Sequence, residues 1–145
     1  MKRDSIILPK EYLQLFISEV PDLLESNIEI RIDEKNQDEI LSFLFERDKK
    51  NKLKQSKKFK MILYYALKGL YNDKLYGKEP PDGKNVTAMK FTSSENYRIV
   101  CKELFCEYKK IIMVTLFYKK STKGKNISKR DIEIYKSVGD YNYDC

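Results

Sequence analysis

Ile111-Ile112-Met113-Val114-Thr115-Leu116-Phe117-Tyr118, running directly into Lys119-Lys120, decides how this chain is read. A continuously apolar run of this kind predicts a central strand, buried on both faces or nearly so. Just upstream, Tyr97-Arg98-Ile99-Val100 opens a second strand through Glu103, and the two make a basic β-ribbon. The chain contains no histidine, so any proton transfer or phosphate chemistry falls to Lys, Arg, Tyr or carboxylates. Cations at strand positions where they can converge point towards nucleic acid.

Working outward, Val86 to Phe91 reads as a third strand, and a loop punctuated by Asn72-Asp73, Gly77, Pro80-Pro81 and Asp82-Gly83 precedes it. Before that loop, Phe59, Ile62, Leu63, Ala66, Leu67 and Leu70 recur at the spacing of an amphipathic helix, the best-defined one in the sequence. A Lys-rich connection over 49–58 leads into it. Ile28-Glu29-Ile30-Arg31-Ile32 alternates as a strand, and Ile40, Leu41, Leu44 and Phe45 mark a helix over 37–48. Pro9, then Leu13, Phe16, Ile17 and Val20, predicts a short helix over 9–20 that Pro21 stops. At the other end, Ser128 with Asp131 forms a capping-box-like start for a helix through Val138. The fold class is α+β, a small antiparallel sheet in the order β-α-α-β-β-β-α. Residues 1–27 form an N-terminal helical extension to a domain over 28–145.

The 145 residues suit one domain of this size, and 12% aromatics supply a core despite 35% charged residues. The net charge of +7 is unevenly distributed: −6 over residues 1–46, +8 over 47–89, +8 over 90–130 and −3 over 131–145. Such a basic middle raises affinity for phosphate backbones and speeds encounter with them. Lys49 to Lys60 equally fits a solvated exterior. Cys101, Cys106 and Cys145 have no metal-ligand spacing and read as reduced cytosolic thiols, with Cys101 in the core. No apolar run approaches membrane-spanning length and no signal peptide is evident, so a soluble cytoplasmic protein is expected.

Three short stretches carry a family resemblance. Met89-Lys90-Phe91 followed by Ser93 to Val100 is similar to the strand, turn and "GYR(I/L)-V" strand of the RelE/ParE/HigB toxins of bacterial type II toxin-antitoxin systems. Leu116 to Lys123 resembles their "F-x-KK-T-x-K" run, and Ile127 to Tyr135 their "T-P-K-R-E-I-E-x-A" helix start. The resemblance covers roughly 28–141. It implies an endoribonuclease that cleaves mRNA, in many members of the family at the ribosome, restrained by a cognate antitoxin with a helix-turn-helix DNA-binding domain. No cofactor or metal is implied, and the ParE branch shares the fold but poisons DNA gyrase.

The chemistry of such an enzyme requires a base for the 2′-hydroxyl and positive charge around the phosphorane-like transition state. A lysine crowded by cations is pushed towards its neutral form, and an arginine presents a planar fork to phosphate. Alternation puts Arg98 opposite Tyr97, Ile99 and Cys101, and Lys90 opposite Met89 and Phe91. The candidate catalytic residues are therefore Arg98 for phosphate stabilisation, with Lys90 and Lys119 or Lys120 for base and charge neutralisation. Tyr118, Lys123, Lys125 and Tyr135 are the candidate RNA-binding residues, the tyrosines by stacking or proton delivery. A non-catalytic nucleic-acid-binding module and a gyrase inhibitor are the competing readings. Convergence of Lys90, Arg98 and Lys120 in one site favours catalysis over the former.

Overall fold

The computed structural model describes residues 2–8, 27–45, 54–91, 96–120 and 127–145. They form an α+β fold whose sheet has six strands: β1 (Ser5–Ile7), β2 (Ile28–Asp33), β3 (Tyr76–Lys78), β4 (Val86–Phe91), β5 (Tyr97–Cys106) and β6 (Lys109–Lys119). The helices among the described residues are α1 (Gln37–Phe45), α2 (Lys54–Leu67) and α3 (Lys129–Gly139). Across the sheet the order is β1-β2-β6-β5-β4-β3.

The sheet is mixed, which corrects the all-antiparallel expectation. β2 lies parallel to β6, pairing Ile30 with Ile112 and Ile32 with Val114, while the other neighbours are antiparallel. The parallel pair follows from connectivity: two helices separate β2 from the later strands, and such a crossover returns the chain in the same direction. β6 sits between β2 and β5, as its apolar run requires, and Ile111 to Thr115 are buried. Ser5–Ile7 pairs with β2 at one edge. Tyr76–Lys78, read from sequence as loop, is a three-residue edge strand on β4. The helix expected over 9–20 lies outside the described residues.

The two faces of the sheet have separate cores. On one, α1 and α2 cover Ile30, Ile32, Met89, Phe91, Ile99, Cys101, Ile112 and Val114 with Ile40, Leu44, Phe59, Ile62, Leu63 and Ala66. Each fully buried large side chain here contributes roughly 1.5–3 kcal/mol. α2 starts at Lys54, inside the stretch expected to be a connection, and stops where Gly69 takes a positive φ of 71°. On the other face α3 packs Tyr135 and Val138 against Val86, Val100 and Tyr118. Its close approach depends on Gly139, where a Cβ would meet Lys84 Cβ at 3.0 Å.

Beyond α3 the C-terminal tail crosses this second face. Lys102 Nζ donates to the carbonyls of Gly139 and Tyr141, the Arg3 amide donates to the Asn142 carbonyl, and the Tyr143 hydroxyl donates to Asp33 at 2.7 Å. Arg3 completes the anchor with two hydrogen bonds to Asp33 and a guanidinium 4.1 Å from the Tyr141 ring centre. Burial would raise the Asp33 carboxyl, but its bonds to Arg3 and Tyr143, the Arg3 charge and the Asn36 amide together hold it below the usual range. At the end of the tail Cys145 forms a disulfide with Cys106, Cα atoms 5.9 Å apart. This corrects the reading of three thiols: the tail folds back far enough to bring residues 39 apart together. Cys101 remains a buried thiol, and burial, then the charge of Glu103, pushes its pKa up. Among the described residues no helix is long and apolar enough to cross a membrane.

Candidate active site

The cationic site is built on the α3 face by strand register. Lys90 on β4 pairs with Arg98 on β5, and Arg98 pairs with Tyr118 on β6, so the three side chains form a row across the sheet. A register shift at Val100/Cys101 leaves Thr115 as an extra residue on β6, so that Leu116 and Tyr118 share the α3 face while Ile112 and Val114 face α1 and α2. Lys120, two residues beyond Tyr118, continues the row, its amide held by the Asn96 carbonyl at 2.8 Å.

Strand alternation separates the lysine pair. Lys120 is buried on the α3 side, whereas Lys119 pairs with Tyr97 and carries its ammonium 6.0 Å from that ring, on the other face. Lys119 therefore does not join Lys90 and Arg98. Lys123 and Lys125 lie outside the described residues. Tyr118 and Tyr135 reach the cluster, but as buried, mutually bonded groups: their hydroxyls are 3.2 Å apart. Neither presents an open ring face on which a base can stack.

Two carboxylates that sequence reading did not place in the site complete it. Asp131 is fully buried at the start of α3; its Oδ1 accepts from the Tyr118 hydroxyl at 2.9 Å, and its Oδ2 from the Ser128 amide at 3.0 Å. The Ser128 hydroxyl accepts in return from the Asp131 amide, so the expected capping box is present in full. Tyr118 has one proton and a carboxylate can only accept, so the hydroxyl pair is ordered with Tyr135 donating to Tyr118 and Tyr118 to Asp131. Glu79, directly after β3, lies 3.3 Å from the Lys90 ammonium, which also donates to the Asp73 carbonyl at 2.7 Å. The capping-box spacing marked Asp131 as a helix start, but nothing in the sequence tied it to Tyr118.

Electrostatics distinguish Lys120 from the other cations. Burial, then the charge of Arg98, pushes its pKa below the ordinary lysine value; Lys90 adds to the fall, while Asp131 and Glu79 oppose it. Arg98 and Lys120 are each only 5% exposed. Tyr135 is pushed up to about 12, chiefly by burial, and Tyr118 higher still, by burial first and with its bond to Asp131 adding to the rise. Both phenols are thus held protonated. The site combines a lysine whose proton is loosened, an arginine beside it, and a second lysine tied to a carboxylate. Such a set can accept a proton and neutralise an anionic transition state.

Among the described residues no group of three His, Cys, Asp or Glu side chains is gathered as metal ligands. The described cleft of about 490 Å³ lies elsewhere, lined by Lys2, Arg3, Asp4, Glu34, Lys35 and Gln37. Comparison with known proteins gives no match to a family model, a curated sequence or a solved structure.

Proposed function

We propose that this chain is a toxin endoribonuclease that cleaves mRNA at the ribosome and is neutralised by a cognate antitoxin. The observation that carries the reading is the convergence of Lys90, Arg98 and Lys120 on one face, with Lys120 pushed towards its neutral form. The order β2-α1-α2-β3-β4-β5-β6-α3, in which β3 is a three-residue edge strand, supports a RelE-like fold.

In the reaction proposed, neutral Lys120 takes the proton of a ribose 2′-hydroxyl. The O2′–phosphorus bond forms as the bond from phosphorus to O5′ breaks. Arg98 binds the non-bridging phosphate oxygens, Lys90 neutralises charge at the rim, and O5′ is protonated by water. The products are a 2′,3′-cyclic phosphate and a 5′-hydroxyl. Arg98 and Lys120 are enclosed, so the scissile phosphate reaches them only after their surroundings rearrange. A cytoplasmic location belongs to the same proposal; the Cys106–Cys145 bond weighs against it, since disulfides persist in oxidising environments.

Induction of the chain, with and without Arg98→Ala or Lys120→Ala, while transcript ends are mapped, tests the reading. New RNA ends and growth arrest that vanish with either substitution are expected. Growth arrest without new ends discards the ribonuclease and favours inhibition of a protein target such as gyrase. RNA retained by the purified protein but never cut favours the non-catalytic binding module.

A further inference from the structure

Asp131 is a carboxylate with no exposed surface, placed where the first turn of α3 meets the strand that carries Lys120. Its two oxygens face different elements. Oδ2 accepts the Ser128 amide of its own helix, whereas Oδ1 accepts the Tyr118 hydroxyl from β6. A capping box needs only the first of these. The second bond reaches across to a residue two positions from Lys120 and paired with Arg98, and Tyr135 lengthens the chain from within α3.

We propose that Asp131 is the positioning residue of the cationic site: one carboxylate that docks α3 on β6 through Tyr118 and places a negative charge on the face that carries Lys120. The inference rests on the ribonuclease reading for its functional meaning, but not for its physical content.

The surroundings of Lys120 make the claim specific. Arg98 on β5 and Lys90 on β4 bring positive charge, Glu79 after β3 and Asp131 on α3 bring negative charge, and Tyr118 and Tyr135 are neutral phenols. Arg130, beside Asp131, lies 5.9 Å from the Tyr118 ring centre and adds a further cation on α3. Glu79 is engaged by Lys90 at 3.3 Å, which leaves Asp131 as the carboxylate bonded to the strand of Lys120 itself. With Asp131 neutralised, one of the negative charges that oppose the cations around Lys120 is lost. Its proton must then leave at lower pH.

The test is Asp131→Asn, which keeps the shape and the acceptor for Tyr118 while removing the charge. The Lys120 Nζ is followed by ¹⁵N NMR across pH in the full chain without RNA, and the pH profile of RNA cleavage is recorded in parallel. Both midpoints are expected to fall by about half to one pH unit, in line with a partly compensated charge neighbour. Asp131→Glu restores the charge and should return both towards wild type. Ser128→Ala, which weakens the cap without touching the charge, should lower the melting temperature and leave the Lys120 midpoint in place.

If Asp131→Asn lowers the melting temperature but not the Lys120 midpoint, Asp131 is only a cap and the proposal is overturned. If that variant does not fold, Tyr118→Phe decides: it cuts the bond that docks α3 on β6 while keeping the charge, so hydrogen-exchange protection of α3 must fall, and unchanged protection refutes the link. A midpoint that falls in a protein that cuts no RNA overturns the ribonuclease reading and leaves the positioning role standing. Cleavage whose pH profile ignores Asp131 does the reverse.

Discussion

The two faces of the sheet both bury charge, and they do so on different terms. Under α1 and α2, Glu103 is almost fully enclosed, and its oxygens receive the Tyr71 hydroxyl at 2.7 Å, the Tyr76 hydroxyl at 2.8 Å and the Lys110 ammonium at 2.9 Å. Thr87 completes the network by donating to Tyr76. One carboxylate meets one ammonium, and the remaining partners are neutral. Under α3, by contrast, Lys90, Arg98 and Lys120 face Glu79 and Asp131, so among the described residues the cations are in excess. A balanced cluster repays its desolvation through pairing, whereas an excess of one sign has to loosen a proton or await an anion. The contrast identifies the Glu103 network as structural and the Lys120 network as the candidate for chemistry.

The largest effect expected is on the balanced side. Glu103→Ala strands the Lys110 ammonium and the Tyr71 and Tyr76 hydroxyls and should cost about 3 kcal/mol in urea unfolding, as breaking a largely buried pair does. A loss below about 1 kcal/mol would mean that the network is not the structural element claimed. Next comes the cross-link. The Cys106–Cys145 loop encloses all of β6 and all of α3, but not Glu103, and Cys145→Ser should remove about 2–4 kcal/mol. Hydrogen exchange should show the protection loss concentrated around α3 and the tail; uniform loss would erase the distinction between the faces.

The opposite sign is expected at Lys120. Replacing this enclosed member of a cation excess with Met should leave stability within about 1 kcal/mol of wild type, or raise it. Destabilisation as large as that of Glu103→Ala would break the comparison. The smallest effect is shared by both faces. Burial, ahead of all other causes, raises the phenols of Tyr71 and Tyr76 on one side and Tyr118 and Tyr135 on the other. Their folded pKa lies above the unfolded value of about 10, so the stability they contribute is complete below that pH and lost as pH rises through the folded values. Unfolding monitored by tyrosinate absorbance should show stability falling above about pH 10, less steeply in Tyr76→Phe and Tyr118→Phe. A flat profile to pH 12 would contradict the burial of these hydroxyls.

Local pattern made much of this legible. Alternation alone set Val86, Ala88 and Lys90 against Met89 and Phe91, and separated Arg98 from Ile99 and Cys101; the register agrees in each case. The uninterrupted apolar run of β6 fixed its central position. What sequence could not supply are relations that exist only after packing. Lys119 and Lys120 were indistinguishable until the register at Tyr97 and Tyr118 assigned them to opposite faces. The Tyr135–Tyr118–Asp131 chain needs α3 docked on β6, and Tyr118 and Tyr135, read as stacking platforms, are consumed by it. Glu79 looked like a loop residue because a three-residue edge strand in a Gly- and Pro-containing stretch leaves no periodic trace. The Cys106–Cys145 pair depends on a tail that turns back over the sheet, anchored by Arg3, Asp33 and Tyr143.

The most direct test of the central claim is cleavage by the purified chain and its Lys120→Met variant, at matched stability, of end-labelled single-stranded RNA and of mRNA on translating ribosomes. The account predicts fragments ending in 2′,3′-cyclic phosphate and 5′-hydroxyl from the wild type on at least one substrate, and a loss of about 10²-fold or more in the variant. Equal cleavage by the two proteins, or none by the wild type on either substrate, would contradict it.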